Sequence, residues 1–559
     1  MARQAQLSAE KTGQETYQNF LEETVAHMQA VIPGYRFQLQ LTETGLQILS
    51  RLDKNWLVAV IRPLLLAKPA VEVFLSQQGQ EPMITLAEDP KELRDIFSGD
   101  TYVGTVLAYP QTGGRQKISR VVVALPTLEL IDVPADFEIR LNNSKFEALV
   151  AKAYTQLYHK VPFLLDIYRQ KRNSNGRGRP AKIFPPMYAN SRQEPELDSQ
   201  VMWIAMHWAE SGGAESWAWE QARLAKAAGF KLVFTFDRAA PQRQLQLASE
   251  LSEDIYLIGQ GVLKADWTSV LLGIMETHRP AHLHIHHSNF VYTQLPVLKA
   301  LYPQLRVEDT THIAEYRGGG FVGSSIGTTQ WIDLHHVISP QLVELYADQQ
   351  VPAQKVHYHP LTHLTSDQRE LAPIQPLTHK PITLGFLGRL SAQKRPVLFI
   401  ALAAILHRRY PGKFRFIMQG SGELENIVVS QLKRWKLMEV IERRPWGSIE
   451  DFLTEIDILL ITSENEGLTL TSIEADAAGV PVVSTNVGSQ YSVVSAELLL
   501  PREPIGFIKG AIALLKKLAD DPQFYQRVSA GQRQLTQILR SQVSASEFYR
   551  QHYQALLTK

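Results

Sequence analysis

Two glutamates eight positions apart, Glu466 and Glu474, stand in the run Ser463-Glu464-Asn465-Glu466-Gly467-Leu468-Thr469-Leu470-Thr471-Ser472-Ile473-Glu474. Glu466 sits beside a glycine in a loop. Glu474 sits on a short helix that Ala478-Gly479-Val480-Pro481 leads into an apolar strand. A carboxylate can accept two hydroxyl hydrogen bonds, so Glu474 suits a ribose diol and Glu466 suits sugar hydroxyls. The backbone at Gly467, Leu468 and Thr469 falls at the start of that helix, where free amides favour a phosphate. Upstream, Gly388-Arg389-Leu390-Ser391-Ala392-Gln393-Lys394 follows an apolar run. An arginine fork and a lysine point charge on one loop, Arg389 and Lys394, can clamp a diphosphate and stabilise charge on a leaving group. Two solvated glutamates and a solvated basic loop would have the same composition. Glu-Gly directly after an apolar strand, and the Gly-Val-Pro ending of the helix, favour a ligand.

Three further runs are less specific. Gly420 lies in Gln419-Gly420-Ser421-Gly422, which a tight turn explains as well as a nucleotide does. Trp446, in Arg444-Pro445-Trp446-Gly447, is able to stack on a base or to pack into a rim. Gly212 and Gly213, in Ala209-Glu210-Ser211-Gly212-Gly213-Ala214-Glu215, let backbone approach a ligand closely, or simply turn a strand into a helix. His284, His286 and His287 have spacing suited to a metal. With no Asp-x-Asp in the chain, local hydrogen bonding is the favoured reading, and no metal or other cofactor is expected.

These residues need a scaffold, and the chain supplies an alternating one. Strands at Val201–Met206, Lys231–Phe236, His282–Ile285 and Arg306–Thr311, with a helix at Ser216–Ala228, form one βαβ series. Strands at Ile382–Leu387, Phe414–Met418, Ile456–Ile461 and Pro481–Thr485, with helices at Arg395–Arg409 and Leu424–Lys436, form a second. Such alternation predicts parallel sheets, and so α/β architecture with two doubly wound domains. Before them, Leu57–Pro63 and Val121–Leu125 read as strands and Phe146–Arg169 as helix, giving an N-terminal α+β region. The expected boundaries are 1–170 for that region, 171–197 for a basic, Gly-rich linker that begins at Lys171 and Arg172, 198–360 for the first βαβ domain, 361–381 for a hinge, 382–540 for the second, and 541–559 for a C-terminal helix that crosses back. Gly318-Gly319-Gly320 reads as a mobile loop, and Ile505–Leu518 as an amphipathic helix, more readily packed than membrane-bound.

The bulk numbers exclude several classes. Lys+Arg is 57 and Asp+Glu is 56, so no global field draws nucleic acid. The absence of cysteine removes disulfides and thiolate chemistry. No run reaches the length of a membrane span and no apolar signal core opens the chain, which predicts a cytoplasmic protein, peripheral at most to the inner membrane face.

The Glu466/Glu474 run together with Gly388–Lys394 resembles the E-x7-E retaining GT-B glycosyltransferases of the family four, or group 1, type. The resemblance covers about residues 200–540 and is strongest over 382–490; the first 195 residues carry none. It implies two Rossmann-like domains facing across a cleft, Arg389 and Lys394 on the donor pyrophosphate, Gly420 near the nucleotide, the loop of Trp446 bordering the base, and Glu474 and Glu466 on the donor. It also implies that His312, at the end of the strand before it, lies near the transferred sugar, and that transfer retains anomeric configuration. A nucleotide sugar, UDP- or GDP-linked, and a glycan or glycoconjugate of a bacterial surface are the partners it implies. An epimerase or hydrolase on the same fold, and a non-catalytic partner subunit, are the alternatives. Two departures stand out. The family's Asn-Gly-x-Asp near the hinge is replaced by Tyr358-His359-Pro360-Leu361, and its Ala-Met-Ala by Ala475-Asp476-Ala477.

Overall fold

The structure, a computed structural model, describes the backbone of residues 2–77, 101–112, 117–126, 128, 153, 156–173, 196–315, 319–361, 371–377 and 381–558, and their side chains except at 2–16 and 169–173. The expectations for Gly318, for the basic run beyond 173 and for most of the hinge lie outside the described residues. The chain divides into two compact units, one of Met1–Ala135, Ile139–Asn143 and Pro186–Arg306, the other of Asp136–Glu138, Ser144–Pro185 and Val307–Lys559.

The first unit opens with helix α1 (Ala2–Val31), strand β1 (Tyr35–Leu41), α2 (Glu43–Leu49), α3 (Trp56–Ala67), β2 (Val71–Ser76), β3 (Tyr102–Pro110) and β4 (Ser119–Ala124). The four strands line up as β1-β3-β2-β4, antiparallel except between β2 and β4. The run at Leu57–Pro63, expected as a strand, is helix: it forms the body of α3, which buries Trp56, Leu57, Val58, Val60, Ile61 and Leu64 and carries Pro63 inside. An apolar run buried on all sides has no period to read, so strand and helix look alike in sequence. The helix α4 (Pro162–Asn173) belongs to the second unit and runs to Asn173, past the expected linker start at 171.

The first unit then runs β5 (Asp198–Met206), α5 (Gly213–Ala228), β6 (Lys231–Phe236), α6 (Leu245–Leu251), β7 (Ile255–Leu257), α7 (Ile258–Gly261), α8 (Trp267–His278), β8 (Pro280–His286) and α9 (Asn289–Leu301). Its strands are parallel in the order β8-β5-β6-β7. Gly229, with φ +116°, ends α5 in the left-handed region that a side chain would strain. α3 packs on β7 and α8. Arg62 and Asp254, at 3.0 Å, and Lys68 and Asp266, also at 3.0 Å, fasten the same helix by ion pairs.

The second unit contains β9 (Arg306–Thr311) from Val307 onward, α10 (Gly320–Gly327), β10 (Leu334–Val337), α11 (Pro340–Asp348) and β11 (Val356–Tyr358), its strands parallel as β11-β10-β9. It continues with β12 (Ile382–Leu387), α12 (Pro396–Arg409), β13 (Phe414–Gln419), α13 (Glu425–Trp435), β14 (Ile441–Arg444), α14 (Ile449–Thr454), β15 (Ile458–Ile461), α15 (Leu470–Ala477), β16 (Val482–Thr485), β17 (Leu499–Leu500), α16 (Pro504–Asp520), α17 (Pro522–Arg540) and α18 (Ala545–Leu557). Six strands form a parallel sheet in the order β14-β13-β12-β15-β16-β17. Every residue of β12 is buried, as a central strand covered on both faces requires. α16 buries Phe507, Ala511, Leu514, Leu515 and Leu518 and packs on α12 and α17. α18 sits against β10 and β11: the Ala545 amide donates to the Pro360 carbonyl at 3.1 Å, and the Phe548 ring stacks on His359 with centroids 4.1 Å apart. Its His552 meets Glu308, at the start of β9, at 2.7 Å.

Candidate functional site

Strand order in the six-stranded sheet reverses between β12 and β15. The first three strands step away from β12 on one side, and β15 to β17 step away on the other. In an open parallel sheet, connections at such a point leave in opposite directions, and the crevice beyond the strands' C-terminal ends takes the ligand. Arg389 and Lys394 follow β12, and Glu464 to Thr469 follow β15.

The two loops are stitched together. Lys394 Nζ donates to Glu466 Oε1 at 2.6 Å, with the Glu466 side chain 8% exposed and that of Lys394 26%. Gln393 Nε2 donates to the Asn465 carbonyl at 2.8 Å, and the Glu464 amide to the Gln393 carbonyl at 2.7 Å. The next residue, Arg395, is fully buried. Its guanidinium donates to the carbonyls of Thr462 at 2.6 Å, Ser463 at 3.1 Å and Arg502 at 2.8 Å. Its backbone is left-handed, with φ +48°, directly before the proline that starts α12. That conformation costs an L-residue about 1 kcal/mol or more, and three charge-assisted hydrogen bonds offset it. Arg395 is therefore a brace for both loops. The sequence placed Arg395 only at the start of a helix; a cation placed immediately before a helix-starting proline was the available signal.

Gly420 has φ +138°, and a Cβ there would lie 2.0 Å from the Gly388 carbonyl oxygen. The ends of β12 and β13 touch at this point, which accounts for the glycine without a ligand. Gly388 has no neighbour within 3.8 Å of a built Cβ, where the side chain of Lys394 is nearest, and Arg389 beside it is half-buried. Trp446 follows β14 and is 37% exposed.

Downstream of Glu466, Leu468 is buried and Thr469 caps α15. The Thr469 hydroxyl makes no hydrogen bond although the residue is 4% exposed, and the hydroxyl of Ser463 is equally unpartnered at 1%. Glu474 is half-buried within α15. A Cβ on Gly467 would lie 2.1 Å from the carbonyl oxygen of His312, so the chain after β9 runs directly over this loop. Asn465 Nδ2 donates to the Ala314 carbonyl at 3.0 Å from the same side. His312 is buried there. The structure thus brings Arg389, Lys394, Glu466, Gly467, Thr469 and the backbone of His312 to one strand-end region. The Asp476 that departs from the family pattern turns to α17, where Arg533 Nε meets it at 3.1 Å and Thr536 donates to it at 2.5 Å.

Gly212 and Gly213 belong to the first unit, between β5 and α5. A Cβ on Gly212 would lie 2.0 Å from Glu215 Oε2, whereas nothing lies within 4 Å of one on Gly213. The strand ends nearby carry buried charge. Glu210 Oε2 meets Arg243 Nε at 2.6 Å, and Glu215 Oε1 accepts from Trp208 Nε1 at 2.9 Å and faces His207 Nε2 at 3.2 Å. Burial, and then the neighbouring His287 and Arg238, hold the His207 ring well below the ordinary imidazole range. Burial pushes Asp237 up to about 7, against the amide of Phe290, which donates to it at 2.6 Å. His284 and His286 stack with centroids 4.7 Å apart. Among the described residues, no group of three or more His, Asp or Glu is placed to hold a metal.

The family described as Glycosyl transferases group 1 matches residues 367–530, from ahead of β12 into α17. A D-inositol 3-phosphate glycosyltransferase of Corynebacterium urealyticum is 32% identical over 162 residues, which are 26% of this chain and 37% of that protein. A glycogen synthase of Mycobacterium tuberculosis is 26% identical over 161 residues, 28% of this chain and 38% of that protein. Among solved structures, HepE of Anabaena in complex with UDP and glucose is similar over 64% of this chain and 99% of its own, with 13% identity and a TM-score of 0.47. The matched segment spans less than two-fifths of each curated relative named here.

Proposed function

We propose, with residues 367–530 as a domain of the group 1 glycosyl transferase family, that this chain moves a sugar from a nucleotide-diphosphate donor, UDP- or GDP-linked, to a glycan or glycoconjugate. The observation that carries the reading is the Lys394–Glu466 pair, 2.6 Å apart at the point where strand order reverses. Cation and carboxylate stand ready beside each other, one for phosphate and one for hydroxyls. Arg389 and Lys394 take the diphosphate, together with the amides at the start of α15. The unpartnered Thr469 hydroxyl there supplies a further donor. Glu474 takes the ribose hydroxyls, Glu466 orients the sugar, and His312 lines its other side.

In the reaction the anomeric C–O bond breaks and its electron pair leaves on the diphosphate. The two cations stabilise that charge, so no metal is required for it. The anomeric carbon passes through an oxocarbenium-like state. An acceptor hydroxyl adds on the face the diphosphate leaves, which retains configuration, and its proton departs with the nucleotide. The relatives' names put inositol phosphate and glycogen beside one matched segment, so acceptor choice lies outside that segment. A bacterial surface polysaccharide or glycoconjugate, elongated in the cytoplasm, is the acceptor class we assign. Among the described residues no helix is long and apolar enough to cross a membrane.

The test is a panel of UDP- and GDP-sugars, read by released nucleotide with and without glycan acceptors, on the wild-type chain and on Lys394→Ala and Glu474→Ala. One donor turned over by the wild type and by neither folded variant is the expected result. Wild-type rates from both variants would overturn the assignment.

A further inference from the structure

Strands β9 and β10 carry a chain of polar side chains that the sugar-transfer mechanism does not use. Asp309 and His335 stand opposite each other in the register of the two strands, and His335 Nδ1 donates to Asp309 Oδ1 at 2.8 Å. Ser325 Oγ of α10 lies 3.0 Å from the same nitrogen, and Thr329 Oγ1 lies 2.8 Å from Nε2. Tyr346 of α11 continues the chain: its hydroxyl is 2.7 Å from Ser325 Oγ and 3.2 Å from Thr311 Oγ1. A phenol has one proton, so it donates to one of these and accepts from the other. The Tyr346 ring meets that of His335 edge-on, with centroids 5.2 Å apart. Asp309, Thr311, Ser325, His335 and Tyr346 are all fully buried.

Burying a carboxylate and an imidazole costs desolvation that apolar side chains of similar volume would avoid. The same elements are otherwise apolar inside, with Val322, Ile326, Leu334 and Val337 in the core. What a connected set of hydrogen bonds adds is direction, because each bond holds one arrangement of the elements it joins. Thr311 is the last residue of β9 and directly precedes His312, and Ser325 lies in α10, which starts at Gly320. One network therefore holds the chain on both sides of the segment that begins with His312. The same α11 is tied to the loop of Glu466 and Gly467. Its Gln341 amide donates to Ser489 Oγ at 3.2 Å, and the Ser489 amide donates to the Gly467 carbonyl at 3.1 Å. Tyr491 Oη donates to Glu344 Oε1, also of α11, at 3.0 Å. The path closes on itself: Gly467, Ser489, α11, Tyr346, Thr311 and then His312, whose carbonyl oxygen would lie 2.1 Å from a Cβ on Gly467. We propose, resting on the sugar-transfer reading, that Tyr346 is a positioning residue for His312, holding it through Thr311 and Ser325 at a fixed place beside the Glu466 loop.

Tyr346→Phe in the full chain keeps the ring and removes only the hydroxyl. With the nucleotide sugar that the wild type turns over, kcat should fall by roughly 10-fold to 10²-fold, the cost of misplacing a group by up to 1 Å. KM for that donor and the Kd of free UDP or GDP should stay within about twofold of wild type, because Arg389, Lys394 and Glu474 are untouched. A purely structural role predicts the reverse, a lower unfolding midpoint with kcat of the folded protein unchanged, and that result overturns the proposal. His312→Ala is the reference. Tyr346→Phe/His312→Ala should have the kcat of His312→Ala alone, since a residue acting through His312 adds nothing once that side chain is gone. Effects that multiply would overturn the link between the two residues. Where Tyr346→Phe does not fold, Thr311→Val breaks the same bond from its other end and is read identically. A wild type that releases nucleotide from no donor removes the sugar-transfer reading and this one together. A wild type that does release it, with kcat matched by Tyr346→Phe, removes the positioning role alone.

Discussion

Two strand-end clusters, one in each unit, bury charge in different ways. Beyond β5 and β6, Glu210 is closed on Arg243 with side chains 5% and 8% exposed. Glu215 there is taken by Trp208 and His207. Each carboxylate is occupied by a neighbour that is itself buried. Beyond β12 and β15, Glu466 is equally buried, but its partner Lys394 is a quarter exposed, and two buried hydroxyls nearby have no partner. Burying a polar group without a hydrogen bond costs about 1–3 kcal/mol. A ligand at these strand ends would satisfy both hydroxyls. On the proposed function, the first cluster holds backbone turns in place and the second receives a ligand.

The sharpest way to break that contrast is to open the first cluster. Arg243→Ala leaves the Glu210 carboxylate buried without its cation and should cost about 3–5 kcal/mol, read as a lower urea midpoint at constant slope. Donor turnover of the folded variant should stay near wild type. A variant of intact stability that has lost turnover would move chemistry into the first cluster and erase the distinction. Lys394→Ala should behave in the opposite manner. Turnover should fall by roughly 10²–10³-fold, while stability falls by only about 1–2 kcal/mol because water reaches the half-open pair. A Lys394→Ala protein with normal nucleotide release would end the reading of the second cluster as a site.

Much of this was legible in sequence because the signals were local. Four of the six strands in the sheet that frames the site, β12, β13, β15 and β16, had apolar runs with β-branched residues, and Arg389, Lys394 and Glu466 stood shortly after two of them. What sequence could not give was non-local. The direct pairing of Lys394 with Glu466 joins residues 72 apart, and the grip of Arg395 on the Arg502 carbonyl joins residues 107 apart. Asp476 read as a departure from pattern until α17 supplied Arg533. α3 was misread because a helix buried on every side shows no period, and Pro63 within it favoured a break. The short strands β7, β11 and β17 lacked enough residues to show alternation.

Acid sharpens the comparison from another side. Within the second unit, burial pushes the His336 ring down to about 3. It faces the His359 carbonyl at 2.9 Å and packs edge-on to Tyr549 of α18. The unfolded chain takes up this proton near pH 6.5 and the folded chain only near 3. The stabilisation is therefore complete above pH 6.5 and is lost as pH falls toward 3. At pH 5 the loss should reach about 2 kcal/mol. Urea unfolding at pH 7 and pH 5 should show it, and His336→Phe should remove most of the slope while lowering stability at both. An unchanged slope in that variant would place the titrating group elsewhere, His207 of the first unit being the next buried ring.

The smallest effect is the most discriminating. Thr469→Val replaces the unpartnered hydroxyl with a methyl of nearly the same volume. In the first cluster such a change would remove a hydrogen bond and cost about 1 kcal/mol. At Thr469 no bond within the protein is lost, because the hydroxyl has no partner, and burying a methyl instead should leave the unfolding midpoint unchanged or slightly raised. The loss should appear only with a donor present: one missing hydrogen bond to a charged group, about 1.5 kcal/mol, weakens nucleotide-sugar affinity roughly tenfold. Calorimetric titration of UDP or GDP into both proteins measures this directly. A destabilised variant with unchanged affinity would show that the hydroxyl belongs to the architecture after all, and with it would go the claim that unfilled hydrogen bonds distinguish the second cluster from the first.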